Sequence, residues 1–336
     1  MKRPPLLPLL PMYWIGLRVK NALYELGVLR AKRLKRPVIS VGSLSAGGAG
    51  KTPVVLMMAE LLGRHGIDVD VLSRGYGRGS GVVEEVDPAG TAQRFGDEPL
   101  EMARRGVRVF VGADRWAAGI AAEDGQQQKM YATFAKEKMQ SSLRGAVHLL
   151  DDGFQHRRLR RDLDLVLLSV EDVRDWLLPA GNLRETLASL RRADVVVVRE
   201  DEAAELAGVI PAGVQVWVVR RELVLPVERP KKPLAFCGIA RPEGFFAMLS
   251  GAAGVKAFPD HHAYSAEDFE VLVAAARHVG ADGFVTTAKD AVKISDAAMR
   301  VLEALGPVVV AELRVSLVDE DKAWERLRGL WIGESE

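Results

Sequence analysis

The chain reads Ser45-Ala46-Gly47-Gly48-Ala49-Gly50-Lys51-Thr52-Pro53 between an apolar run at residues 37–41 and a helix-like run at residues 54–62. A strand, a glycine-rich turn and a helix that opens with Lys-Thr form the layout of a phosphate-binding loop, or P-loop. Glycines let successive backbone N–H groups curve around phosphate oxygens, and the N-terminus of the next helix adds partial positive charge. The stretch therefore predicts a nucleoside triphosphate site. A glycine-rich turn before an ordinary helix is the alternative.

The loop pattern assigns roles to individual residues. The Lys51 side chain is expected to reach the β- and γ-phosphates, and the Thr52 hydroxyl is expected to ligate Mg²⁺. The strict pattern has Gly where this chain has Ser45. The residues of the loop expected to hold the nucleotide are Ser45, Gly47, Gly48, Ala49, Gly50, Lys51 and Thr52.

Short Val- and Leu-rich runs alternate with helical stretches along the chain. Such runs lie at residues 68–72, 107–111, 146–150, 163–168 and 195–198. Continuous apolar runs of this length predict an α/β fold of the P-loop NTPase type, with a parallel sheet covered by helices on both faces. We expect a P-loop domain at 1–225, a strand-like linker at 226–233, a smaller α/β domain at 234–322 and a C-terminal helix or tail at 323–336.

Composition excludes several classes of protein. The chain has 336 residues, enough for two domains, and a formal net charge of +1 that gives no sign of a nucleic acid partner. Its single cysteine, Cys237, excludes a disulfide framework, and its apolar surroundings predict a buried thiol. We expect no obligate protein partner. A polar stretch at 123–144 is interpreted as a solvated extension of a surface helix, with no assigned function.

The N-terminal segment combines an amphipathic helix with a basic cluster. Apolar residues recur at roughly helical spacing over residues 12–30, and five Lys and Arg residues follow between positions 30 and 36. Prolines and charges interrupt the run, so it does not fit a membrane-spanning helix or a signal peptide. A helix that lies on an anionic membrane surface and a helix packed on its own domain both remain open, and the basic cluster favours the membrane.

Acidic residues occur at two further places that a phosphotransfer site would use. Asp151 and Asp152 follow the apolar run 146–150, at the strand edge where α/β proteins bind ligands, and carboxylates there hold Mg²⁺. Asp97 and Glu98 precede Pro99 at the start of a helical stretch. They predict either a helix cap or a general base at the mouth of the site.

These motifs occur together in an order that resembles the tetraacyldisaccharide 4'-kinase family of lipid A biosynthesis. The resemblance covers residues 13 to about 315. The motifs that carry it are the glycine-rich loop, Leu72-Ser73-Arg74-Gly75-Tyr76-Gly77, Gly96-Asp97-Glu98-Pro99, Asp151 to His156, Gly181-Asn182-Leu183-Arg184-Glu185, Phe258-Pro259-Asp260-His261, and Thr286 to Lys293.

The resemblance implies the chemistry. Such enzymes transfer the γ-phosphoryl group of ATP, with Mg²⁺, to the 4'-hydroxyl of a tetraacylated glucosamine disaccharide 1-phosphate, which gives lipid IVA. They act at the cytoplasmic face of the inner membrane, to which we expect this chain to bind as a peripheral or monotopic protein.

The resemblance also implies roles for individual residues. It implies Asp97 and His261 as a catalytic dyad, and Gln155 and Arg184 beside the nucleotide. The metal ligands that it and the loop pattern imply are Thr52, Asp151, Asp152, Glu98 and Glu185. If Asp97 and His261 form a dyad, the two domains must close over substrate, and we expect a hinge motion.

The sequence departs from the family's motifs at two places, and two other classes of protein are alternatives to the kinase. The family often has Asn and Thr where this chain has Ser43 and Ser45, and its common Thr-Glu-Lys-Asp run appears here with Ala288 as its second residue. A GTPase switch or metallochaperone would share the loop, but residues 287–290 lack the Asn of a guanine-selecting run. A non-catalytic ATP-binding protein would not need Asp97 and His261 together.

Overall fold

The computed structural model describes residues 2–134 and 145–332. Within them the chain forms twelve β-strands: β1 (Val38–Ser43), β2 (Asp68–Ser73), β3 (Glu84–Glu85), β4 (Arg108–Val111), β5 (Ala146–Asp151), β6 (Leu163–Leu167), β7 (Val195–Arg199), β8 (Gln215–Val224), β9 (Leu234–Cys237), β10 (Gly254–Ala257), β11 (Phe284–Thr287) and β12 (Val308–Leu317).

Helices separate most of the strands. They are α1 (Leu10–Glu25), α2 (Lys51–Arg64), α3 (Ala92–Phe95), α4 (Asp97–Arg104), α5 (Arg115–Phe134), α6 (Val170–Arg174), α7 (Ala203–Leu206), α8 (Pro242–Met248), α9 (Ala266–Val279), α10 (Ala288–Ala291), α11 (Asp296–Glu303) and α12 (Glu320–Ile332). Two 3₁₀ helices span Pro4–Leu9 and Leu187–Arg192.

The described strands form one sheet in the order β10-β9-β11-β12-β8-β7-β6-β1-β5-β2-β4-β3. All neighbours pair in parallel except β12 with β8 and β3 with β4. Side chains alternate between the two faces of a strand, so Ile39 and Val41 of β1 pack beside α2 while Val38 packs beside α5. The predicted α/β fold with a mostly parallel sheet and helices on both faces is confirmed.

A long antiparallel pair joins two halves of this sheet. Strand β12 runs beside β8 from the pair Glu312 and Val224 to the pair Leu317 and Val219. We call β1–β7 with their helices the N-terminal lobe, and β9–β11 with α8–α11 the C-terminal lobe. Helix α12 then returns to the N-terminal lobe, where Ala323 and Leu327 are fully buried in the same core as α2.

The polar stretch at 123–144 differs from the sequence interpretation at its first residue. The Glu123 side chain is buried, and its carboxylate accepts hydrogen bonds from the backbone N–H groups of Lys35 and Arg36 at 2.9 and 3.0 Å. It also lies 3.5 Å from His148 Nε2. Glu123 is therefore not solvated, because it satisfies backbone donors ahead of β1. Residues 135–144 lie outside the described residues.

The remaining expectations about single segments have mixed outcomes. Cys237 is a buried free thiol, as predicted, and burial raises its pKa to about 12. Helix α1 is shorter than the predicted span 12–30 and has no buried residue. No helix in the part of the chain that the structure describes is long and apolar enough to cross a membrane.

Candidate active site

The glycine-rich loop, residues 45–52, lies at the carboxyl edge of β1 and leads directly into α2. Its backbone is left-handed at Gly47, Gly48 and Gly50, with φ values of 75°, 67° and 73°. Glycine adopts this region without the steric cost that a Cβ brings, so the loop can curve tightly around a ligand. The C-terminal lobe closes over it, since a Cβ on Gly48 would lie 3.1 Å from the Cβ of Ala240.

Asp152 connects the loop to the segment that contains Arg184. Arg184 donates two hydrogen bonds to the Asp152 carboxylate, at 2.7 and 2.6 Å, and Lys51 Nζ lies 3.4 Å from the same carboxylate. Burial alone would raise the pKa of Asp152, but the hydrogen bonds from Arg184 and the charge of Lys51 hold it well below its usual range. Asp152 is therefore ionised and positions Lys51 at the start of α2.

Two polar side chains support the end of β1 and the first residue of the loop. Arg184 Nη2 donates to the carbonyl oxygen of Ser45 at 2.9 Å, and Gln155 Nε2 donates to the carbonyl oxygen of Ser43 at the same distance. The hydroxyl of Tyr13 in α1 donates to the carbonyl oxygen of Arg184 at 2.9 Å. The sequence placed Gln155 and Arg184 beside the nucleotide, and the structure brings both against the base of the loop.

The two carboxylate oxygens of Asp151 differ in their hydrogen bonding. Its Oδ2 accepts a hydrogen bond from Ser73 at 2.9 Å, whereas its buried Oδ1 has no hydrogen-bond partner among the described residues. Burial, with the nearby charges of Glu98 and Asp152, raises its pKa to about 7. An unpartnered buried carboxylate oxygen at this strand edge is the hard oxygen ligand that Mg²⁺ prefers.

The donor set at the loop is sparse but fits magnesium. Across residues 2–134 and 145–332, no group of three His, Cys, Asp or Glu side chains comes together as a metal site. Mg²⁺ in phosphotransfer sites needs one or two carboxylates, with nucleotide oxygens and water completing its shell. Asp151 and Asp152 at the end of β5, with the largely buried Thr52 at the start of α2, meet that requirement.

Asp97 and His261 meet across the two lobes. Asp97 opens α4, and its Oδ2 lies 2.9 Å from His261 Nδ1. Burial alone would raise the pKa of Asp97, but the hydrogen bond from His261 and the charge of Lys289 bring it below its ordinary value. The same hydrogen bond raises the pKa of His261, while burial and the charge of Lys289 act against that rise.

Lys289 makes a second contact between the lobes. Its Nζ lies 3.1 Å from Glu98 Oε1 in α4, 3.3 Å from Asp260 Oδ1 and 3.3 Å from His261 Nε2. Burial alone would lower the pKa of Lys289, but Glu98, Asp97 and Asp260 together raise it above its ordinary value. Glu98 thus pairs with Lys289, and its charge also contributes to the raised pKa of Asp151.

A cleft of about 360 Å³ runs from the glycine-rich loop between the lobes. Its floor is apolar and belongs to β7, β8 and β12, with Val197, Val219 and Leu313 in the lining. Glu98, Asp260, His261 and Lys289 line it near the loop. The loop and the cleft therefore form one continuous site, which Asp152 joins through Lys51 and Asp97 joins through His261.

Glu185 is the one residue of the expected metal set whose contacts lead elsewhere. Its buried carboxylate accepts a hydrogen bond from Arg192, 2.5 Å away, next to the segment that carries Arg184. No hydrogen bond or ion pair of Glu185 found within the described residues reaches Asp151, Asp152 or the loop. Glu185 is adjacent to Arg184 in the chain, so its contact with Arg192 can hold the segment that carries Arg184 in place.

The sequence interpretation missed Lys289, Asp260 and Ser73 as members of the site. Lys289 follows β11, so its place at the carboxyl edge of a parallel strand was the available signal. The neighbouring Asp290 is fully buried and accepts hydrogen bonds from the Gly238 N–H and the Thr287 hydroxyl. It therefore has a structural role at the end of β9.

Comparisons with known proteins agree on one family. The sequence profile described as tetraacyldisaccharide-1-P 4'-kinase matches residues 3–331. A tetraacyldisaccharide 4'-kinase of Koribacter versatilis is 40% identical over 334 residues, which cover 95% of this chain and 97% of that protein. The Geobacter metallireducens protein of the same name is 38% identical over 331 residues, 91% of this chain and 92% of its own.

A solved structure shares the fold over nearly the whole length. It is that of LpxK from Aquifex aeolicus in complex with ATP, with a TM-score of 0.75 and 32% sequence identity. The match covers 97% of this chain and 98% of that one.

Proposed function

The chain belongs to the tetraacyldisaccharide 4'-kinase family, and from this membership we propose how its residues catalyse the transfer. The protein is a phosphotransferase of lipid A biosynthesis. Its reaction moves the γ-phosphoryl group of ATP to the 4'-hydroxyl of a tetraacylated glucosamine disaccharide 1-phosphate, which gives lipid IVA. The assignment of roles below rests chiefly on the 2.9 Å contact between Asp97 and His261 beside the glycine-rich loop.

Asp97 accepts the proton of the acceptor hydroxyl. The lowered pKa keeps its carboxylate ionised at neutral pH, and the hydrogen bond from His261 fixes its orientation. Phosphoryl transfer has a loose transition state in which the hydroxyl proton becomes acidic late, so a weak but well-placed base is sufficient. His261 is the partner that orients Asp97.

The bond changes balance without a further reactant. A bond forms between the 4'-oxygen and the γ-phosphorus, and the bond from that phosphorus to the β,γ-bridging oxygen breaks. The hydroxyl proton moves to Asp97, and ADP leaves with the negative charge of the bridging oxygen. The product is the 4'-phosphate ester.

The glycine-rich loop holds the triphosphate, with Ser45, Gly47, Gly48, Ala49, Gly50, Lys51 and Thr52 as its binding residues. Lys51 is already positioned by Asp152, and Arg184 and Gln155 brace the strand end that precedes the loop. The cleft that continues from the loop suits the nucleoside, because apolar side chains of β7, β8 and β12 line part of it and its volume lies in the range of small-molecule sites.

Asp151, Asp152 and Thr52 are the residues that would hold Mg²⁺, and Glu98, whose charge acts on Asp151, is a further candidate ligand. Support comes from the unpartnered Asp151 oxygen and the charge that accumulates around it. When bound, Mg²⁺ neutralises charge on the β- and γ-phosphate oxygens. The contacts of Glu185 favour a supporting role behind Arg184 over one at the metal.

The acceptor is a lipid, and helix α1 is the surface that suits a membrane. Met12, Ile15 and Val19 follow helical spacing and are 72%, 54% and 54% exposed. On another side of the helix, Tyr13 bonds to Arg184 and Lys20 Nζ lies 3.4 Å from the Gln155 carbonyl oxygen. The helix thus has one face on the active-site support and an apolar stripe free for lipid. We infer peripheral binding at the anionic cytoplasmic face of the inner membrane.

A GTPase switch is disfavoured by the position of Asp290. In a guanine-selecting run the final Asp must reach the base, whereas this Asp is fully buried on Gly238 and Thr287. The experiment that separates the two functions measures ADP formation from Mg-ATP with and without a tetraacylated disaccharide 1-phosphate in mixed micelles. We expect acceptor-dependent ADP, matched by 4'-phosphorylated lipid. An equal rate of ADP formation with and without the acceptor would contradict the assignment.

A further inference from the structure

Lys289 is held in place by the chain around it. It lies in the single turn α10, where the Thr287 hydroxyl caps the turn by accepting a hydrogen bond from the Asp290 N–H at 3.2 Å. Asp290 in turn accepts from the Gly238 N–H at 2.9 Å, which ties the turn to the end of β9. The Lys289 side chain is only 17% exposed. Its ammonium therefore has few alternative positions.

The contacts of this ammonium determine the state of the His261 ring. An ammonium carries donors only, so the 3.3 Å contact with His261 Nε2 requires a lone pair on that nitrogen. The ring proton then belongs to Nδ1, which lies 2.9 Å from the Asp97 carboxylate. Asp260 Oδ2 is 3.7 Å from Nε2, too far to compete as a hydrogen-bond acceptor.

The same ammonium fixes the ring relative to the N-terminal lobe. Lys289 and His261 belong to the C-terminal lobe, while Asp97 and Glu98 are adjacent at the start of α4. Two parallel contacts, Asp97 with His261 and Glu98 with Lys289, therefore cross the cleft side by side. A single contact would let the ring pivot about one bond, whereas two contacts fix its angle.

We propose that Lys289 is a positioning residue for phosphoryl transfer, which holds the His261 ring with Nδ1–H on Asp97 and secures that ring against α4 through Glu98. The inference rests on the proposed role of Asp97 as the proton acceptor. Lys289 acts through His261 and touches neither the 4'-hydroxyl nor its proton. Loss of its ammonium leaves Asp97 present but free to rotate away from the acceptor.

The test compares Lys289→Met with the wild-type protein and with Lys322→Met, in which an exposed lysine of α12 makes the same change. We expect Lys289→Met to lower kcat by about tenfold to a hundredfold, at or below the lower end of the 10²–10⁴-fold contribution of a general base, with KM for ATP changed less than about threefold. Lys289→Arg should recover part of the loss, because a guanidinium also donates to Glu98. Lys322→Met should match wild type.

The second readout is the ¹⁵N spectrum of the histidine rings in nucleotide-free protein. The chain has six histidines, so His261 can be assigned from the signal that disappears in His261→Gln. At a pH above the raised pKa of His261, where the ring is neutral, wild-type Nε2 should resonate as an unprotonated ring nitrogen and Nδ1 as a protonated one. In Lys289→Met this distinction should be lost, while Lys322→Met keeps it.

Three results for Lys289→Met would overturn the proposal. The first is an unchanged His261 signal, and the second is a kcat within about twofold of wild type. The third is a raised KM for ATP at unchanged kcat, which would make Lys289 a nucleotide-binding residue. Failure of the underlying dyad gives a different pattern. In that case Asp97→Asn would retain wild-type kcat, and the ring spectrum alone would still decide whether Lys289 holds His261.

Discussion

Replacing Asp151 by Asn should make the nucleotide-free protein more stable at alkaline pH. The side chain is 3% exposed, and one of its oxygens has no hydrogen-bond partner in the part of the chain that the structure describes. Burial, with the charges of Glu98 and Asp152, raises its pKa to about 7. A rise of the pKa from its ordinary value near 4 means that ionising Asp151 costs about 4 kcal/mol more in the folded protein than in the unfolded chain. Relaxation around the site reduces this upper bound, so we expect a gain of about 1–3 kcal/mol at pH 8.

The pH dependence gives the sign of the effect. Between about pH 4 and pH 7 the folded protein keeps a proton on Asp151 that the unfolded chain has released. Stability of the wild type therefore falls as pH rises through this window, and above it the full penalty is present. Asn carries no such charge and can still accept the hydrogen bond from Ser73. The advantage of Asp151→Asn should grow from pH 5 to pH 8.

Urea unfolding at four pH values, without nucleotide and with a chelator, measures this difference. Glu123→Gln is the control: burial alone would raise the pKa of this buried carboxyl, but hydrogen bonds from His148 and from the backbone N–H groups of Lys35 and Arg36 bring it below its ordinary value. Its loss should therefore destabilise the protein at pH 8. Mg-ATP should then stabilise wild type more than Asp151→Asn, because the variant lacks a metal ligand. Asp151→Asn that loses stability equally at pH 5 and pH 8 would refute the reasoning.

Two further substitutions test the loop and the membrane surface. Gly48→Ala should lower the free energy of unfolding in urea by about 1–2 kcal/mol and raise KM for ATP, because φ at Gly48 is 67° and the two lobes meet there. The control is Gly63→Ala on α2, where a Cβ meets open space; it should raise the free energy of unfolding by at most about 1 kcal/mol. Ile15→Glu with Val19→Glu should weaken flotation with anionic vesicles at least about tenfold, since each buried apolar side chain contributes about 1.5–3 kcal/mol. The matched change Val227→Glu, at an exposed position away from α1, should leave flotation unchanged. Normal ATP affinity in Gly48→Ala, or equal flotation of all variants, would contradict these expectations.

Much of the fold follows from short-range patterns in the sequence. The loop at 45–53, the Val-rich runs and the carboxylates after β5 are local signals, and the strand edge where parallel strands end brings them together. The pairing of β8 with β12 has no such signal, because it joins segments about ninety residues apart. The return of α12 likewise depends on tertiary packing, with Trp324 stacked on His65 at 3.6 Å.

The site could be predicted where a residue type has one main use. Lys51, Asp151 and Asp152 belong to that group, and the structure brings them to one edge of the sheet. The position of Lys289 after β11 could be predicted, but its contacts could not, since they depend on how the two lobes face each other. Glu123 was misread for the same reason, because a carboxylate in a polar stretch gives no indication that backbone N–H groups far along the chain will bury it.

A double-mutant cycle on Asp97 and His261 tests the central claim most directly. The measurement is kcat for 4'-phosphorylation of the lipid acceptor by Asp97→Asn, His261→Gln and the double variant, with ATP binding followed separately. If the two side chains act as one unit, each single change should lower kcat by about 10²–10⁴, and the double change should cost little more than Asp97→Asn alone. ATP affinity should survive in all three. Single variants that stay within about threefold of wild type, or a double variant whose loss equals the product of the two single losses, would contradict the account.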